Sequence, residues 1–145
     1  MNTFKKSALS LALAGWLLGS GLCAAAESAI PNLVGTWVVE AEGGVLAKGQ
    51  DIREETHHRG EFSTLNAEAV VTKQQGRVLH GVFTSSRATE KFIAVIGLDN
   101  TTFALADEDG LMDGDIVNAD RLNVIYRHVS ETDTVVGVGT WTRKK

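Results

Sequence analysis

The sequence predicts an all-β fold: an antiparallel up-and-down meander of about eight strands closing into a small barrel. Three observations lead there. Short runs rich in Val, Ile, Phe, Thr and Tyr follow one another along residues 33–143. No segment carries an apolar stripe at helical spacing over three turns, so no crossover helix separates the strands. Turn residues recur about every 10–13 positions, and a one-directional meander removes its two edges by closing on itself.

The first expected strand is Leu33–Ala41, entered just after Pro31, the single proline of the chain. The second is Leu65–Lys73, and Gln75-Gly76 turns it into Arg77–Ser85. Ser85-Ser86 leads to Lys91–Leu98, and Asp99-Asn100 leads to Thr101–Ala106. Asp109-Gly110, Asn118-Ala119-Asp120 and Glu131-Thr132-Asp133 then separate Leu111–Val117, Leu122–His128 and Thr134–Arg143. Asp, Asn and Gly tolerate the positive φ of tight hairpins, which is why they punctuate the chain here. The stretch 43–64 lacks such a signature. Its polar middle, from Asp51 to Gly60, fits a helical turn, a long loop or an extra strand pair, and its place suits a lid over a barrel mouth.

The N-terminus has the three-part layout of a secretory signal. Lys5 and Lys6 precede an apolar run from Ala8 to about Leu22, and Ala24 and Ala26 supply the small residues at the cut. The run is about 15 residues where a membrane span needs about 20. A lipid-modified Cys23 would want a small residue before it, and Leu22 stands there. Residues 1–26 are therefore read as a cleaved signal peptide and 27–145 as one exported barrel domain, periplasmic or secreted. Two of the 14 basic residues leave with the signal and none of the 18 acidic ones, so the net charge moves from −4 to about −6. That balance argues against nucleic acid and anionic membrane surfaces as partners. The single cysteine, Cys23, also leaves, so the domain has no disulfide, thiolate nucleophile or cysteine metal site and must rest on its apolar core.

Two segments resemble the signatures of the calycins, the lipocalin and avidin group. Asn32-Leu33-Val34-Gly35-Thr36-Trp37 is similar to the G-x-W of their first strand, and Val136-Gly137-Val138-Gly139-Thr140-Trp141-Thr142-Arg143 resembles their closing strand. The resemblance implies that Trp37 plugs one end of the barrel and that Arg143 covers it, with Gly35 beside them. The mature length and the eight short strands are closer to avidin than to the longer lipocalins. Avidins line their biotin site with several tryptophans in middle and late strands; past the signal this chain has only Trp37 and Trp141, both in the end segments. Biotin is accordingly not an expected ligand.

Residues 107–115 invite a calcium reading, but the acids have the wrong register for an EF-hand loop and no distal Glu follows, so a solvated hairpin turn is the better account. His57-His58 could begin a metal site with His80 or His128, yet adjacent histidines on an extended chain point to opposite sides. No nucleophile elbow, zinc-protease motif or phosphate-cradling loop occurs, so no enzyme, metal or cofactor is expected.

On the seventh strand Leu122, Val124, Tyr126 and His128 share one face, while Arg121, Asn123, Ile125 and Arg127 share the other. The first set reads as inward. Tyr126 and His128 then need partners, which can be each other, water or a ligand. His80, sharing a face with Val78 and Val82, is a third candidate for the interior. The strands are also rich in Ala and Gly, which leave room if they face inward. The expected function is binding of a small apolar ligand inside the barrel by Tyr126, His128 and His80. The alternative is a ligand-free interaction, structural or inhibitor protein acting through its outer face or the 43–64 segment.

Overall fold

The computed structural model describes residues 29–47 and 60–145, and all regular structure among them is β. The strands are β1 (Gly35–Ala47), β2 (Gly60–Gln75), β3 (Val78–Ser85), β4 (Thr89–Ile96), β5 (Thr102–Ala106), β6 (Gly110–Asn118), β7 (Arg121–Val129) and β8 (Asp133–Arg143). Each pairs antiparallel with the next, and β8 returns to β1, so the sheet is a closed barrel of eight strands in sequence order. The seam runs from Trp37 opposite Arg143 to Ala47 opposite Asp133. This is the architecture that the calycin-like end segments imply.

The turns form where the sequence punctuates. Gly76 and Asn100 take left-handed φ of 57° and 62°. The Asp99 carboxylate accepts from the Thr101 and Thr102 amides and from the Thr102 hydroxyl, holding the β4–β5 turn shut. Asn118 does the same for Asp120 between β6 and β7.

The stretch 43–64 differs from its neighbours. Its two ends are an extra strand pair, with Gly43 opposite Ser63 and Leu46 opposite Gly60, so β1 and β2 run well past the expected strand ends. A Cβ at Gly43 would stand 2.2 Å from the Val136 carbonyl oxygen of β8, so glycine here permits close strand approach rather than marking a break. Residues 48–59, with His57, His58 and the expected lid, lie outside the described residues, as does the expected signal segment 1–26.

One end of the barrel is plugged. Trp37 is fully buried and its indole Nε1 donates to the Leu33 carbonyl at 3.1 Å. The Arg143 guanidinium lies over the ring, 4.3 Å from its centroid. The same guanidinium donates to the Val34, Asn32 and Ala119 carbonyls and pairs with Asp120. Residues 31–34 cross this end, and Gln74 holds them by accepting from the Leu33 amide and donating to the Pro31 carbonyl. Gly35 turns the chain into β1 with φ of 141°, and a Cβ there would meet Arg143 Nη1 at 2.7 Å. Only glycine satisfies both conditions.

Above the plug, Trp141 spans the interior, its ring centroid 5.9–6.4 Å from those of Phe83, Phe92 and Phe103. Leu79, Ile96, Leu122 and Val71 complete this lower core. Of the small residues, Ala67, Ala69, Gly81 and Ala94 face inward, whereas Ala104 is exposed on the outer surface.

Candidate functional site

Toward the other end the inward rows change character. On β1 they run Trp37, Val39, Ala41, Gly43, and on β8 Trp141, Gly139, Gly137, Val135, so bulk gives way to nearly bare backbone. Across the barrel the rows end in polar groups: Glu90 beyond Phe92 on β4, and Tyr126 and His128 beyond Val124 on β7. The result is a cavity of about 270 Å³ open at this end, floored by Val39, Phe83, Phe92, Leu105, Met112 and Val124. It lies at the small end of ligand pockets, which run roughly 300–1,000 Å³ and are mostly apolar with a few placed polar groups.

Tyr126 and His128 face inward and line this cavity. They are tied to protein acids. The Tyr126 hydroxyl donates to Asp109 Oδ1 at 3.2 Å and lies 3.5 Å from His128 Nδ1. The other ring nitrogen, Nε2, donates to Asp133 Oδ1 at 2.8 Å, and Nδ1 sits 3.4 Å from Asp109 Oδ2. Asp133 is held in turn by Ser130. The two side chains are thus satisfied by each other and by neighbouring acids, which hold them in place along the cavity wall. Burial, reinforced by the Asp107 and Asp109 charges, pushes the Tyr126 phenol well above its ordinary value, so it stays a neutral donor.

His80 does not join them. It is exposed, because β3 turns Leu79, Gly81 and Phe83 inward. The strand is apolar on both faces, so alternation alone leaves its sense open. Gly81 decides it, since its missing Cβ would sit 2.2 Å from the Phe92 ring, and only glycine lets that ring fill the core there. With Gly81 inward, His80 must point out.

The acids of the mouth carry no signal in strand alternation, because they come from a turn and a strand end. Asp107 accepts from the Asp109 and Gly110 amides, so the turn of 107–110 is the expected hairpin; Glu108 and Asp109 are exposed, and Asp107 and Asp109 also border the cavity. The β4–β5 register, with Ile93 opposite Ala106, continues to put Glu90 at the level of that turn. Burial and repulsion from Asp107, Asp109 and Glu108 hold the Glu90 carboxyl above the ordinary range. Among the described residues, no three acids or histidines are placed to hold a metal ion.

No protein-family model matches this chain, and no curated protein does. Among solved structures, the S-type phycobiliprotein lyase CPES from Guillardia theta is similar, at 14% identity over 77% of this chain and 88% of that one, with a TM-score of 0.31.

Proposed function

We propose that this protein is an exported binding protein, not an enzyme, and that it takes a small, largely apolar molecule into the open end of its barrel. The observation that carries this reading is the split interior: one end is sealed by Trp37, Arg143 and the Trp141 aromatic cluster, and the other holds a cavity of about 270 Å³ with an apolar floor. Eight-stranded barrels are narrow enough for side chains to fill, so a void left beside Gly137, where a Cβ would fit, is a feature that packing alone does not require. Its size suits a single ring or a short chain. Tyr126 and His128 orient the ligand's polar end.

The test uses Gly137. A Cβ there meets only the Glu42 carbonyl oxygen, at 3.4 Å, so the position has room for a side chain that would project into the cavity. Titrating 2-phenylethanol into labelled protein should shift the amide signals of Val39, Phe92, Val124 and Tyr126, and Gly137→Val should abolish those shifts while leaving the melting temperature within a few degrees. Shifts confined to the outer face, or unchanged in Gly137→Val, overturn the reading.

A further inference from the structure

We infer that the ligand of this cavity carries a positive charge, in the form of a protonated amine attached to a small apolar body; the inference rests on the cavity being the binding site. The floor and the mouth make different demands. The floor is hydrocarbon and aromatic ring, which takes an apolar body and offers a polar group nothing. Among the described residues the mouth is bordered by four carboxylates, Glu90, Asp107, Asp109 and Asp133, and by Glu42, which is exposed on the outer face of β1, against one guanidinium, Arg87, and the His128 imidazole.

The four acids are not equivalent. Asp107 is engaged by backbone amides, Asp109 by Tyr126 and His128, and Asp133 by His128 and Ser130. The Glu90 carboxylate has no hydrogen bond or ion pair with any described residue. It stands in the inward row of β4, two positions above the Phe92 ring of the floor, where repulsion from Asp107, Asp109 and Glu108 outweighs the attraction of His128. A part-buried carboxylate among like charges is costly, and a cation placed beside it relieves both desolvation and repulsion. Arg87 does not supply that cation: it is exposed, and its guanidinium reaches Ser63.

The choice of an ammonium over a metal ion follows from the geometry. No three of these groups converge to hold a metal among the described residues. An ammonium needs only one carboxylate and accepting oxygens around it, and its hydrocarbon stem continues into the floor that lies directly below Glu90. A carboxylate or phosphate headgroup would meet repulsion from Glu90, Asp107, Asp109 and Asp133, with only Arg87 and His128 among the described lining residues to offset it.

Three probes with one body and different heads separate the possibilities: 2-phenylethylamine, 2-phenylethanol and 3-phenylpropionate, titrated calorimetrically at neutral pH and low salt. The amine should bind about tenfold tighter than the alcohol, and the acid weakest of the three. Glu90→Gln should remove the amine's advantage, the ratio of amine to alcohol affinity falling from about ten to about one. The same loss of advantage should appear in the unmodified protein near 1 M salt, where the screening length is about 3 Å. If the alcohol binds as tightly as the amine, or if neither Glu90→Gln nor salt reduces the amine's advantage, the charge inference is wrong. The cavity reading then still stands, provided Gly137→Val removes binding of all three. If none of the three binds, both fall together.

Discussion

Replacing Trp37 with alanine probes the seam and the plug at once. The side chain is fully buried, so its removal forfeits a large transfer term and leaves a void that the strands cannot collapse into. Large-to-small changes of this kind cost about 3–5 kcal/mol. Two local losses push the value toward the upper end. The Leu33 carbonyl loses its indole donor, worth about 1 kcal/mol, and the Arg143 guanidinium loses its ring face, worth about 0.5–2 kcal/mol. At roughly 3–5 °C per kcal/mol for a domain of this size, the melting temperature should fall by about 10–20 °C. Urea denaturation followed by circular dichroism measures the free energy directly. A double-mutant cycle with Arg143→Met then isolates the ring–guanidinium contact, which should appear as a coupling of about 0.5–2 kcal/mol. Trp37→Ala costing under about 1.5 kcal/mol, or strictly additive single and double variants, would refute the account of the plugged end.

Glu90 makes a prediction about pH. The folded state raises its carboxyl, so folding favours the protonated form; that contribution is complete below the unfolded pKa, roughly 4.3, and is lost as pH rises through the folded value. Glu90→Gln should therefore be the more stable protein at neutral pH, by less than about 1 kcal/mol given the screening of a part-exposed group, with the difference closing by about pH 3–4. A constant difference across that range would count against the acidic mouth. For the exported form, intact mass should correspond to a chain beginning at Glu27, and a lipid-bearing Cys23 at the new N-terminus would exclude the proposed processing.

Much of the barrel is legible in the sequence because its turns use residues that few other local structures need. Asp99-Asn100, Asn118-Ala119-Asp120 and Gln75-Gly76 fall where the chain reverses, and β7 alternates cleanly between Leu122, Val124, Tyr126, His128 and their outward neighbours. Where alternation is ambiguous, the reading fails. The inward sense of β3 depends on whether Gly81 lies beneath the Phe92 ring, a contact between residues on different strands that no single-strand pattern reveals. The first strand is expected to end at Ala41 for a similar reason: the close approach of Val136 that Gly43 permits exists only once β8 has closed on β1. The candidate site was half visible. Tyr126 and His128 stand out as polar residues on an inward face, whereas Glu90 falls just before the expected strand Lys91–Leu98 and acids 107–109 in a solvated turn, and only the β4–β5 register brings them to one opening.

The β1–β8 seam also sets an order of events in time. Its partners, Trp37 and Arg143, are separated by nearly the whole folded chain, and the Trp141 ring at the centre of the lower core belongs to the last strand as well. Hairpins β2 through β7 can form from neighbours in sequence, but neither the plug nor the seam can form before residues 133–143 are available. Contacts of such long range make folding slow, since loop-closure entropy must be met before they contribute. Until then the unpaired edges of β1 and β7 remain exposed and prone to pairing with other chains. A polypeptide emerging N-terminus first would thus stay open until its final strand arrived, and then close in one late, cooperative step.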